Sequence, residues 1–158
     1  MKKLSVTAGL ILTALLVFAP CVYAQTISAE RISCEIQNAL PTEFGYVDNT
    51  EYLMKHEFSS IQGVCDSHVV VCAEATNFSE FGVFYIANEA DIKPCVKQLN
   101  EYLKKRKMQF QSGVVYNVEE YPKFENAKAV AIGRFVIYTI LAPSQRDIAI
   151  ETAKNLVN

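Results

Sequence analysis

A chain of 158 residues that is 51% hydrophobic and carries a formal net charge of −2 has the length and apolar content of one globular domain, able to bury about two-thirds of its unfolded surface. Its mild acidity excludes a general nucleic-acid binder, which needs an excess of basic side chains to displace counterions. Glycine and proline are scarce, at six and five residues, which excludes a linker-rich chain.

The first 24 residues predict an export signal. Lys2 and Lys3 precede an apolar run from Leu10 to Ala19, and Val22 and Ala24 stand at −3 and −1 of a cut. The run is too short for a membrane span. The expectation is a cleaved secretory signal over residues 1–24 and a single domain over residues 25–158, working outside the cytoplasm as a secreted or periplasmic protein. Loss of Lys2 and Lys3 makes that domain more acidic. Cys21 offers lipoprotein anchoring as the lesser alternative, because Pro20 stands where the lipid-modifying enzymes need a small residue.

Ser28 caps a predicted helix to about Leu40, with Ile32, Ile36 and Ala39 at helical spacing and Pro41 as its stop. Asn49 or Thr50 caps a short helical turn through Tyr52, Leu53 and Phe58. His68 to Ala73 and Phe81 to Ala87 read as strands, joined by a hairpin loop from Thr76 to Glu80. The strongest helix runs from about Ala90 to Phe110, with Ile92, Cys95, Val96, Leu99, Tyr102, Leu103 and Phe110 on one face. Pro94 falls in its first turn, with the cap near Asp91, and Gly113 stops it.

A loop or short helix holding Tyr116, Tyr121 and Pro122 leads to a second hairpin. Ala127 to Ile132 and Phe135 to Leu141 are its strands, and Gly133-Arg134 fits a two-residue turn of type II′. Pro143 to Asp147 then reads as loop, cap and first turn of a last helix through Ile148, Ala149, Ala153 and Leu156. The order α-ββ-α-ββ-α predicts an α+β domain: an antiparallel sheet of about four strands from two hairpins, with three main helices covering a face. No Gly-rich phosphate loop is present.

The second half resembles a family of exported bacterial proteins catalogued as domain of unknown function 4358. The matching features are Ser79-Glu80-Phe81-Gly82-Val83-Phe84, then Leu103, Arg106 and Gln109-Phe110, then Tyr121 with Asn126-Ala127, and Gly133-Arg134-Phe135-Val136. The resemblance covers about Val64 to Val157. It implies export and a single domain, and it brings no catalytic residue. Many of these relatives look like lipoproteins, a pattern from which Pro20-Cys21 departs.

Cys34, Cys65, Cys72 and Cys95 remain after signal cleavage. An even count in an exported chain admits two disulfides in three connectivities, against the alternative of buried free thiols. Cys65, His68 and Cys72 are the one cluster of ligand-type side chains. It lacks the spacing of a zinc site, so no metal and no cofactor are expected. A Cys–His nucleophile pair or a Cys65–Cys72 disulfide are the other readings.

Arg106 falls on or beside the apolar stripe of the long helix and needs a carboxylate, for which Glu119, Glu120 and Glu125 are the candidates. Its functional reading is an anion-binding arginine in a groove. Lys104, Lys105 and Lys107 complete a basic cluster at the helix end, either solvated or in contact with anionic headgroups or wall polymers. Tyr116 and Tyr121 are candidates for a ligand or partner surface, against plain core packing. Asn77-Phe78-Ser79 satisfies the glycosylation triplet without being expected to carry a glycan in a bacterial chain. The residues favour a non-enzymatic envelope module that binds a protein or polymer partner. The alternatives are an envelope hydrolase or thiol-redox enzyme using Cys65, His68 or Cys72, and a membrane-surface accessory protein docking through Lys104 to Lys107.

Overall fold

A computed structural model describes residues 27–41, 45–74, 77–113 and 118–158. The expected signal, Cys21 and Tyr116 lie outside the described residues. Helix α1 (Ala29–Ala39) starts where the sequence predicts, with Ser28 Oγ accepting the Arg31 N–H at 3.3 Å. It buries Ala29, Ile32, Ser33 and Ile36, one stripe at helical spacing.

Five strands form one antiparallel sheet rather than four. They are β1 (Tyr46–Asp48), β2 (Ser67–Ala73), β3 (Glu80–Tyr85), β4 (Lys128–Ile132) and β5 (Phe135–Ile140), in the order β1-β2-β3-β5-β4. Both expected hairpins are present, and β3 pairs with β5 to join them. Gly133 has φ +55°, the sign that the first position of a II′ turn needs. The additional strand, β1, is three residues long and pairs only with Val71 to Ala73. Three residues are too few to show an alternation in sequence.

Among the described residues the three expected main helices, α1, α3 (Ile92–Ser112) and α5 (Pro143–Val157), are joined by two short ones: α2 (Thr50–His56), where a short helical turn is expected, and α4 (Tyr121–Glu125), where a loop or short helix is. No side-chain cap comes from Asn49; the Thr50 N–H is instead met by Asp48 Oδ1 at 2.8 Å, and Phe58 lies beyond the helix in the core. Ser144 is not a cap either, since α5 begins at Pro143 without one. Asn88 caps a single 3-10 turn, Glu89–Asp91, that feeds α3.

Helices cover both faces of the sheet, not one. Along β3 the pleat sends Glu80, Gly82 and Phe84 toward α2 and α3, and Phe81, Val83 and Tyr85 toward α1 and α5. All six residues of β5 are buried. A strand buried on both sides reads as a near-continuous apolar run, which Phe135 to Ile140 shows apart from Thr139. No described helix is long and apolar enough to cross a membrane.

Candidate functional site

Glu80 opens β3 directly opposite Cys72, at the end of the hairpin, and its side chain turns toward α3. It is 2% exposed. A carboxylate there must be fully hydrogen-bonded. Tyr102 of α3 and Tyr138 of β5 each donate a phenolic O–H to Glu80 Oε1 at 2.6 Å, and Arg106 Nη2 reaches Oε2 at 3.3 Å. Gly82 makes room for this, because a Cβ there would collide with the Tyr138 ring. Burial first, then the Glu80 charge, pushes both phenols well above their usual range, so they stay protonated donors.

Arg106 is therefore paired, as its position on the stripe requires, but with Glu80 rather than Glu119, Glu120 or Glu125. The following segment supplies a different clamp. Glu120 accepts the Phe78 N–H at 3.0 Å and Lys123 Nζ at 2.7 Å, while Lys123 also donates to Asn77 Oδ1 at 2.6 Å. This clamp fixes Asn77 and Phe78 as one rim of a groove of about 340 Å³. Asn49, Tyr52, Cys72, Glu80, Arg106 and Gln109 also line it. The Arg106 Nε is buried and has no hydrogen-bond partner among the described residues. Burial works against the Arg106 charge, but Glu80 and the polar ring around it more than offset that and raise its pKa.

The basic run disperses around the helix. Lys105 pairs with Glu57 at 2.7 Å, Lys107 lies 5.3 Å over the Tyr121 ring, and Lys104 is exposed. Residues at successive helix positions turn by about 100° each, so four neighbouring cations do not make one patch. Tyr121 is half-buried against the core and does not line the Arg106 groove. Tyr102, Tyr138 and Glu80 were not legible as site residues. Tyr102 and Tyr138 read as core, and Glu80 read as loop. The available signal was the pleat, which puts Glu80 in step with Gly82 and Phe84.

The cysteines among the described residues are free thiols: Cys34 exposed, Cys65 and Cys72 half-buried, Cys95 buried. A Cys65–Cys72 disulfide is overturned, because Cys65 precedes β2 and Cys72 lies near its far end. The strand from Ser67 to Cys72 spans about 17 Å at 3.3 Å per residue, against the 7 Å limit for bridged Cα atoms. Cys65 does meet His68, with Sγ 3.3 Å from Nδ1. Burial raises the Cys65 pKa and lowers that of His68, so both are held neutral. The Cys72 thiol, at the far end, is pushed up to about 11, by burial first and then by Glu80. Cys95 is pushed up to about 12 by burial and then by Cys65. Among the described residues no group of three or more His, Cys, Asp or Glu is placed to hold a metal ion.

No family model, curated protein or solved structure matches this chain.

Proposed function

We propose that this chain is an exported, non-enzymatic binding module that seats an acceptor-bearing group of an envelope protein or polymer in the Arg106 groove. The observation that carries this reading is the Arg106 guanidinium. Its side chain is about one-third exposed at the groove, 31%, and is held by Glu80 Oε2 while both phenols bond Oε1. A carboxylate or carbonyl of the partner accepts from the exposed edge of the guanidinium, and Gln109 and Asn49 add neutral hydrogen-bonding groups along the wall. Lys2 and Lys3 followed by an apolar run at the amino terminus, and the resemblance to exported bacterial proteins, favour the compartment.

Co-sedimentation with purified cell-wall sacculi tests the polymer form of this reading, and cross-linking in intact envelopes tests the protein form. Gln109→Ala, which leaves the Glu80 network intact, is expected to weaken retention severalfold with the thermal midpoint unchanged. Retention of neither kind, or intact uncut protein found in the cytoplasm, defeats the reading.

The thiol-enzyme alternative has one observation in its favour, the Cys65–His68 contact. Neutral partners oppose it, since the thiolate is the nucleophile. Titration of the folded protein with a chromogenic disulfide at pH 7 is expected to label Cys34 rapidly and Cys65, Cys72 and Cys95 slowly. Fast labelling of Cys65 would favour the enzyme.

A further inference from the structure

On the α1 and α5 side of the sheet, β4 is an edge strand with α5 beside it. Ile132 and Phe135 flank the two-residue turn, so Ile132, Val130 and Lys128 direct their main-chain groups inward to β5. Ala129 and Ala131 direct theirs outward. The Ala129 N–H is met by Asn100 Oδ1 at 3.0 Å, whereas Ala131 is exposed and its outward N–H and C=O meet no partner among the described residues. An open edge of this kind is a template for one more strand.

A groove of about 410 Å³ runs between β4 and α5. Val130 and Ile150 line its middle, Lys128, Arg146 and Asp147 lie toward one end, and Lys154, paired with Glu151, lines it further along α5. That placement follows from the topology: Lys128 pairs with Thr139 near the end of β5, and Arg146 sits in the first turn of the helix that follows. At the other end Gly133 packs against Val157.

Arg146 is 8% exposed, yet no carboxylate among the described residues lies within ion-pair distance of it. Its hydrogen bond is from Nη2 to the Leu141 carbonyl at 3.1 Å, and its Nε is buried without a partner. Burial depresses its pKa despite the neighbouring Asp147 charge. A buried cation left this way is costly, and an incoming carboxylate relieves it.

We propose that this groove captures the C-terminal end of an extended peptide, which adds to β4 as an antiparallel strand and places its terminal carboxylate at Arg146 and Lys128. The antiparallel direction puts the carboxyl end beside Lys128 and Arg146, the two lining cations without an ion pair among the described residues, whereas Lys154 pairs with Glu151. Pairing at Ala131 supplies main-chain affinity, and the Val130–Ile150 stretch accepts an apolar side chain at an alternate position. A small anion would use Arg146 but leave the strand edge and the apolar stretch unused.

The test immobilises the protein and challenges it with pooled hexapeptides, each present both as free carboxylate and as C-terminal amide. Carboxylate forms are expected to be retained about tenfold or more over amides, since a hydrogen-bonded charge is lost in the amide. Arg146→Gln is expected to erase that ratio. Ala131→Pro, tolerable at an edge, is expected to abolish retention while circular dichroism stays native. If Arg146→Gln fails to fold, Lys128→Glu on the exposed side chain takes its place with the same expected loss. Equal retention of both forms, retention of neither, or a ratio unchanged in the variants overturns the proposal. So does a concentration-dependent dimer of this chain that blocks retention, which would make a second copy the occupant.

Discussion

The two faces of one sheet are built on different principles. Toward α1 and α5, β3 presents Phe81 and Val83 to an apolar layer of Ile32, Ile36, Ile137 and Ala149, all fully buried. Toward α3, the same strand presents Phe84 to an apolar layer that includes Phe58 and Leu99, but it also presents Glu80, a carboxylate with three donors set into that layer. The apolar face depends on volume and tolerates similar shapes. The Glu80 face depends in addition on the hydrogen bonds to that carboxylate, because a group stripped of its partner there is buried with its full desolvation penalty. The candidate groove lies on the face where removing one group has the larger consequence.

Exchanging one atom type on the Glu80 face gives the sharpest contrast. Glu80→Gln keeps the volume but removes the charge opposite Arg106, and is expected to lose about 3–5 kcal/mol in denaturant titration. Phe81→Leu, its neighbour on the other face, is expected to lose less than about 1.5 kcal/mol. A Glu80→Gln protein as stable as Phe81→Leu breaks the comparison.

Tyr138→Phe removes one donor to the carboxylate and is expected to lose about 1.5–3 kcal/mol. Combined with Glu80→Gln it should lose less than the sum of the two, since both act on one network.

Alkaline titration sharpens the same contrast. Unfolded thiols ionise near 9.0, whereas folded Cys72 and Cys95 hold their protons to about 11 and about 12. The unfolded chain thus binds fewer protons in that window, and stability is present below pH 9 and lost as pH rises through it. Raised Tyr102 and Tyr138 add to the decline above their ordinary value of 10.0. Cys72→Ser is expected to flatten the slope between pH 9 and 11, measured by thermal midpoint. The smallest effect belongs to the exposed Lys105–Glu57 pair, where Lys105→Ala is expected to change stability by less than about 1 kcal/mol.

Much of the fold was legible where local signals were strong. The Ser28 cap, the α3 stripe and the Gly133-Arg134 turn each combine residue type with spacing, and each is found within a residue or two of its expected place. Strand β1 was not, and helix α4 was legible only as a loop or short helix, because three to five residues carry no period. The expected Arg106 partners were those nearest in the following segment. The actual partner lies 26 residues upstream, a separation that sequence proximity does not weigh.

Arg106 illustrates the division. Helical spacing alone put a guanidinium on an apolar stripe and so required an acceptor, because an unpaired charge cannot be buried. Which acceptor answers it depended on β3 pairing with β5 and on α3 crossing that face, so that Glu80, Tyr102 and Tyr138 converge. Periodicity is a property of neighbours along the chain and is written in sequence. Convergence of groups from three elements exists only once the sheet has closed its register, and only the tertiary structure decides it.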